Sequence, residues 1–499
     1  MDYVIGSGPA GVACATALLG RGRAVTMLDA GLTLEPGYEA LRMAMAARAP
    51  EDWTPEQHAM RRLPAGGGMP DYKLSHGSDY PYRAAPGAPG LGIDVPGVAA
   101  SYAQGGLGNV WGAAMLPYRA ADFATWPVAV EEMAPAYRAV LGFVPLAGQA
   151  DALEPEFPFY VRPRADMPVS RQAKALLRRF ARASLPGVVA GRARLAVRAA
   201  GCNACGECLN GCPRDLIFSG RQELAALRAA GMTYIQGAVV RGLAEDEHGV
   251  QIHALTAMGG QVFSGDRVFV AAGVYGSTGL MLRSLGQARA EILDSQYFIL
   301  PLLGLARTTG VAAERLHTLA QVFIEIEDAA VAAQNVHLQI YGYSDVLDAT
   351  IAQKLGALRE LRAQVLERAL VVQGYLHSDV SGRLAARLEG DVLRVTAVPN
   401  LATPAVLKRL VRRLGRLAPV LGARPLGPLL QAMPPGRGYH SGGSFPMREC
   451  PGPGETDTLG RPYGRRRTHI VDAAVFPSIP AATITLTVMA NAWRIGNES

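Results

Sequence analysis

Residues 3–11 read Tyr3-Val-Ile-Gly-Ser-Gly-Pro-Ala-Gly11, and this stretch constrains the fold more than any other. Three apolar residues make a strand, Gly6, Gly8 and Gly11 complete G-x-G-x-x-G, and an apolar run through Leu19 continues as a helix. The first glycine allows a tight turn, the second lets a pyrophosphate approach the backbone, and the third lets helix and strand pack closely. The unpaired N–H groups at the helix start then face the phosphates. A second strand, Ala24-Val-Thr-Met-Leu28, ends in Asp29, at the distance where an acid takes ribose hydroxyls. The pattern predicts a dinucleotide-binding α/β domain.

With 499 residues and 49% apolar content, the chain can bury a large core and is expected to divide into two or more domains. The N-terminus shows neither a basic n-region nor a cleavage site, and the apolar run Phe298 to Leu305 is too short to span a bilayer, so a cytoplasmic protein is expected. The formal charge of +7 is uneven: residues 161–200 carry ten Arg or Lys and one acid, and residues 401–434 carry six and none. Such a face suits an acidic redox partner, a phosphorylated substrate or peripheral contact with anionic lipid, or is simply a solvated surface. No nucleic-acid module is present, and no nucleic-acid partner is expected.

From Asp29 to about residue 100 the sequence reads as loop, including His76 in Lys73-Leu-Ser-His-Gly-Ser-Asp79. Gln104-Gly-Gly-Leu-Gly-Asn109-Val-Trp-Gly112 follows, a backbone suited to lying close against a flat group through Gly106 and Asn109. Helices are expected over 131–141, over 171–183 behind a Ser170 cap, and over 221–230. Strands are expected over 232–243, 251–257 and 261–271, the last running into Ala272-Gly273 and bringing a second backbone edge to the dinucleotide. Alternating segments at 318–325, 335–341, 370–376 and 391–398 predict one antiparallel sheet with a covered face. Thr403-Pro404 starts a basic helix with Leu407, Leu410, Leu414 and Leu417 on one side, which Pro419 stops; it covers a sheet or lies on a membrane.

Four of the six cysteines fall in Cys202-Asn-Ala-Cys205-Gly-Glu-Cys208-Leu-Asn-Gly-Cys212-Pro213. This C-x2-C-x2-C-x3-C-P spacing is that of bacterial ferredoxin runs, so Cys202, Cys205, Cys208 and Cys212 are candidate ligands of an iron–sulfur cluster. In two-cluster ferredoxins the fourth cysteine serves the other cluster, and here there is no second run. Cys212 closing a [4Fe-4S] cube, a three-cysteine [3Fe-4S] centre, recruitment of Cys450, and a bare or zinc-bound turn all remain open.

In this order the pieces resemble the glucose-methanol-choline (GMC) family of FAD-dependent oxidoreductases. The likeness lies in the opening glycines with Asp29-Ala-Gly31, in Gly105 to Gly112, in Asp122-Phe with Trp126-Pro127, and in Val268-Phe-Val-Ala-Ala-Gly273. It is most specific at Tyr439-His440-Ser-Gly-Gly443, Thr468-His-Ile-Val-Asp472 through Pro480, and Thr485-Leu-Thr-Val-Met-Ala-Asn491. The resemblance implies FAD, with Asp472 near the pyrophosphate and ribityl chain and residues 439–499 folding back onto the nucleotide domain. It implies a discontinuous FAD domain of residues 1–125, 196–288 and 435–499, the cysteines at its edge, and a substrate domain of residues 126–195 and 289–434 with an antiparallel sheet under helices. His440 matches the family's histidine and is the expected base.

Where family members carry Asn or His this chain has Thr483, able to orient a substrate but not to act as a base; His377 and His76 are weaker candidates from the substrate side. The reaction expected is dehydrogenation of an alcohol carbon, on a sugar, polyol or other alcohol, with electrons leaving one at a time through the cluster to a cytochrome, ferredoxin or quinone. The alternatives are an oxygen-using alcohol oxidase with structural cysteines, a flavin-dependent lyase or isomerase, a ferredoxin-driven reductase, and a flavin electron carrier.

Overall fold

The computed structural model describes residues 1–61, 73–183, 185–355 and 359–499, without the side chains of residues 354, 355 and 359. Part of the long expected loop, residues 62–72, lies outside the described residues. The opening strand forms at Asp2–Ile5, between Val25–Asp29 and Arg267–Val270, all parallel. Thr233–Gln236 adds to one edge and Thr468–Ile470 to the other, so the start, middle and end of the chain share one five-stranded parallel sheet. Asp2–Ile5 and Val25–Asp29 are buried throughout, as expected where helices cover a parallel sheet. Buried Asp2 is held by Arg23 at 2.9 Å and Arg267 at 2.7 Å, which supply the countercharge that burial demands.

Helix Pro9–Gly20 follows the turn, with Pro9 at its first position, where the missing N–H costs nothing. The last helix, Thr485–Glu498, packs along it, and a Cβ on Gly496 would stand 3.0 Å from the Cys14 carbonyl oxygen. The C-terminal segment therefore folds back onto the unit built on the opening strand and helix.

A seven-stranded antiparallel sheet has the order Ala423–Pro425, Tyr297–Gly304, Ala369–Leu376, Val336–Tyr341, Val322–Ile326 and Val188–Arg192, with Gln431–Ala432 also on Tyr297–Gly304. Side chains alternate across it: Val322, Ile324, Val336, Leu338, Ile340 and Val372 enter a core shared with helices Arg171–Arg182 and Thr403–Arg416. The intervening Glu325, His337, Gln339, Tyr341, Gln373 and Tyr375 belong to the other face by the same period. Ser170 caps the first of those helices, its Oγ accepting the Ala173 N–H at 3.1 Å. The leucines of the second are buried against the sheet, so this helix covers a sheet. Among the described residues no helix is long and apolar enough to cross a membrane.

Several expectations are corrected. The stretch after Asp29 holds helices Pro36–Ala46 and Pro55–Arg61 and a short strand, Leu91–Ile93, rather than loop throughout. Val392–Val398 does not extend the seven-stranded sheet; with Arg383–Glu389, Arg289–Asp294, Ser441–Gly442 and Leu91–Ile93 it makes a separate five-stranded one. The expected strand 232–243 is two strands, Thr233–Gln236 and Val239–Glu245, divided by Gly237 at φ +77 and assigned to different sheets. Pro419 does not end the basic helix region, because helical turn continues through Ala418–Leu421 to Gly422 at φ +61.

Candidate active site

A cavity of about 610 Å³ runs from the opening glycine turn to the seven-stranded sheet. Gly6, at φ +96, turns the chain where a Cβ would lie 2.6 Å from the Ala271 carbonyl oxygen. A Cβ on Gly11 would lie 1.9 Å from the Gly6 carbonyl oxygen, so only glycine lets the helix sit so close to its own strand. No protein atom lies within 4 Å of a Cβ built on Gly8, which opens onto the cavity. A second helix, Gly273–Leu285, begins with Gly273 at φ +74 and also points its N-terminus at the cavity. Two helix N-termini with bare glycine backbone make a cradle for the paired phosphates of a dinucleotide.

The acids brace these turns. Asp29 is buried; Ser7 Oγ and Tyr234 Oη both donate to its Oδ2, the latter at 2.8 Å. Burial pushes its carboxyl up, and those two hydroxyls pull it part of the way back. Ser7 Oγ in turn accepts the Gly105 N–H at 2.9 Å, which ties the glycine loop to the opening turn. Asp472 accepts from Ser277 Oγ at 2.5 Å and from the Ala474 N–H at 3.0 Å, linking the second helix to the C-terminal segment. Burial pushes its carboxyl up to about 6, against the pull of Ser277.

His440 lies at the other end. Its ring stacks on Tyr375 with centroids 4.4 Å apart and an interplanar angle of 21°, its carbonyl oxygen accepts the Ser295 N–H at 2.9 Å, and its Nδ1 is buried with no hydrogen-bond partner among the described residues. Burial, with the nearby His337 imidazole, pushes it down to about 3, so the ring is neutral with a lone pair to offer. Gly6, Gly8, Asp29, Gly106, Ala272, Gly273, Asp472 and His440 all line the one cavity.

Other expected site residues lie elsewhere. Gly11 acts through packing alone. Asn109 does not line the cavity: its amide donates to the carbonyls of Gln104 and Gly106, both at 2.8 Å, and accepts from Ser219 and Arg221, so it holds the glycine loop in shape. Thr483 is buried and does not line the cavity, its Oγ1 accepting the Leu116 N–H at 2.7 Å, whereas the next two residues, Ile484 and Thr485, do line it. His377 caps a short turn, accepting the Asp379 N–H at 3.1 Å. His76, at φ +56, lines a small adjoining cleft with Lys73 and Cys212.

The cysteine run is a chain of tight turns, with Ala204 at φ +54, Gly206 at φ +78 and Gly211 at φ +90. All four thiols are free. Among the described residues no three His, Cys, Asp or Glu side chains come together as ligands of a metal ion, so the expected four-cysteine centre is not present as a formed ligand set. Burial pushes the Cys205 thiol up to about 11 and the Cys208 thiol up to about 12. Backbone N–H groups offset part of that rise. Backbone N–H groups of Glu207, Thr318, and Arg214 with Leu216 reach Cys205, Cys208 and Cys212 respectively. Arg61 is buried beside the run and donates to the Asn210 carbonyl at 3.2 Å and to that of Gly211. Lys73, donating to the Trp111 carbonyl at 2.8 Å, is pushed down by burial to about 8. Leu209 and Asn210, inside the run, line the large cavity.

The substrate end was not legible from motifs. Tyr297, Gln339, Tyr341, Gln373 and Tyr375 line it from the seven-stranded sheet. Their signal in the sequence is the alternation of polar and aromatic with aliphatic residues, which marks a face without saying what it faces.

Residues 432–492 match the family model described as GMC oxidoreductase. No curated protein matches the sequence. Among solved structures the chain is similar to pyridoxine 4-oxidase from Mesorbium loti, with a TM-score of 0.61 at 15% identity, covering 100% of this chain and 98% of that one. That likeness is one of fold. The matched segment resembles that of a GMC oxidoreductase and carries His440 and Asp472, which are among the residues lining the cavity from the C-terminal side.

Proposed function

We propose that the protein oxidises an alcohol carbon with FAD held along the cavity, in the two-part arrangement expected from the sequence. The observation that carries this reading is the continuity of one cavity from two helix N-termini to the His440 imidazole. The residues fit the cofactor: Gly6 makes the turn, Gly8 and Gly273 leave room for phosphates, and Asp29, Gly106 and Asp472 line the path beyond. GMC family enzymes bind FAD, which when bound supplies the acceptor for a hydride. The chain's own share is to place the carbinol and to take its hydroxyl proton at the His440 imidazole, which lines the cavity. Tyr375, stacked on the imidazole, fixes the ring plane.

For the electron acceptor, the reading is an iron–sulfur cluster on the 202–212 run, passing electrons singly to a protein or quinone. Its support is the spacing, the N–H groups directed at three of the sulfurs, the buried Arg61 and Lys73, and the contact of Leu209 and Asn210 with the cavity wall. The second reading, an oxygen-using oxidase with structural cysteines, is favoured by the likeness in fold to pyridoxine 4-oxidase. Anaerobic purification with flavin, iron and sulfide counted per chain tests both, followed by visible spectra on adding alcohols. Flavin bleached by an alcohol is the expected result. A chain that holds no flavin, or whose flavin no alcohol reduces, would overturn the proposal. Iron and sulfide present select the first acceptor; their absence with rapid reoxidation by oxygen selects the second.

A further inference from the structure

The non-core face of the seven-stranded sheet carries a hydrogen-bonded series that begins on a buried acid and ends in the cavity. Glu325 and His337 are directly opposed across antiparallel strands, and both are buried. His337 Nδ1 stands 2.5 Å from Glu325 Oε1, and Asn335 Nδ2 donates to Glu325 Oε2 at 2.9 Å. Gln339 Nε2 is 3.2 Å from His337 Nε2, and Tyr341 Oη donates to Gln339 Oε1 at 2.9 Å. Gln339 and Tyr341 line the cavity; Glu325 and His337 lie behind them.

Each member sets the direction of the next. An ionised carboxylate only accepts, so His337 donates from Nδ1 and offers its Nε2 lone pair. The Gln339 amide answers with its NH₂, which turns its carbonyl oxygen toward Tyr341. The Tyr341 hydrogen is thereby committed to Gln339, while its oxygen lone pairs remain to accept. The hydroxyl also lies at the glycine loop, since a Cβ on Gly112 would stand 3.6 Å from it. Tyr375, which stacks on His440, faces His337 at a centroid distance of 6.2 Å. The acceptor and the base therefore share one end of the cavity.

We propose that Tyr341 is a specificity-determining acceptor, selecting alcohols that carry a second hydrogen-bond donor, O–H or N–H, beside the carbinol. Glu325, His337 and Gln339 are positioning residues that keep its oxygen accepting. The proposal rests on the alcohol reading for the word substrate, but the donor preference is a property of the cavity and is measured without turnover. Each ligand with a donor gains about tenfold in affinity over its methylated counterpart, the worth of one neutral hydrogen bond.

The test uses the flavin-loaded enzyme and two probes of similar shape, phenol, which donates, and anisole, which does not, with binding followed by perturbation of the flavin spectrum. The wild type is expected to bind phenol about tenfold more tightly than anisole. Tyr341→Phe is expected to bind the two alike with unchanged flavin content and melting temperature. Glu325→Gln, which replaces an acceptor-only group with one that also donates, is expected to shrink the preference part-way, and Glu325→Asp to restore more of it. Equal binding of the two probes by the wild type, no binding of either, or a preference that survives in Tyr341→Phe would overturn the proposal. Loss of alcohol-dependent bleaching with the phenol preference intact would instead count against the alcohol reading.

Discussion

The close approach of Gly11 to the opening strand gives the sharpest test of the cofactor site. In Gly11→Ala the new Cβ would lie 1.9 Å from the Gly6 carbonyl oxygen, where real Cβ contacts begin at 3.0 Å, so helix and turn must separate by about 1 Å. The obstacle is backbone, which cannot rotate aside. Overpacking of this kind costs about 1–3 kcal/mol, and the upper end applies; alanine's better helix propensity returns at most about 1 kcal/mol. The net loss of about 2 kcal/mol predicts a melting temperature lower by a few degrees. The displaced turn should also lose flavin.

Gly8→Ala is the control. Gly8 has φ −64 and ψ 178, open to any residue, and nothing of the protein lies within 4 Å of the added Cβ. Alanine is a poorer N-cap than glycine, so a loss of about 0.5–1 kcal/mol is expected, smaller than in Gly11→Ala. Flavin content should nevertheless fall, because the methyl occupies the approach of the pyrophosphate. Melting by circular dichroism and flavin absorbance per chain read both quantities. Full flavin content and an unchanged melting temperature in Gly11→Ala would refute the packing argument, and full flavin in Gly8→Ala would refute the placement of phosphate over that turn.

Further outcomes follow from the same geometry. His440→Ala should slow anaerobic flavin reduction by about 10²–10⁴-fold with little change in substrate affinity or melting temperature, checked by stopped-flow absorbance. Cys212→Ala should remove iron and sulfide while leaving flavin bound, checked by elemental analysis beside the visible spectrum; iron at the wild-type level would exclude this cysteine as a ligand. Asp294 is fully buried and pushed up to about 7, so the native state holds its proton to a higher pH than the unfolded chain. Its contribution is intact below the unfolded value and is lost as pH rises toward 7. Asp294→Asn should therefore gain on the wild type between pH 5 and pH 8, by an amount on the order of 2–4 kcal/mol, read from urea midpoints; a gap that is the same at both pH values would contradict this. Burial holds His317 and His469 down to about 4, so the unfolded chain takes up their protons first and stability should fall as pH drops from about 6.5 toward 4. Replacing both with glutamine should flatten that decline.

What the sequence determined by itself is whatever depends on neighbours in the chain. A glycine needed at φ +96, a strand buried on both faces and a helix starting on proline are local requirements, so Gly6, Asp2–Ile5 and Pro9 were legible, as were the strand and glycine at Val270 and Gly273. The period of two likewise marked Val336–Tyr341 as a strand with one polar face. Only tertiary structure decided what those faces meet. Asp472 reaches Ser277 across 195 residues, and His440 stacks on Tyr375 from a different sheet. Thr483 and Asn109 have suitable chemistry, but their polar atoms are spent on Leu116 and on the glycine loop, which no local pattern reveals. Glu325, His337, Gln339 and Tyr341 were visible one at a time as alternating polar residues. Their joint direction arises because strand register places donors opposite acceptors, and register is fixed by burying the aliphatic face beneath them.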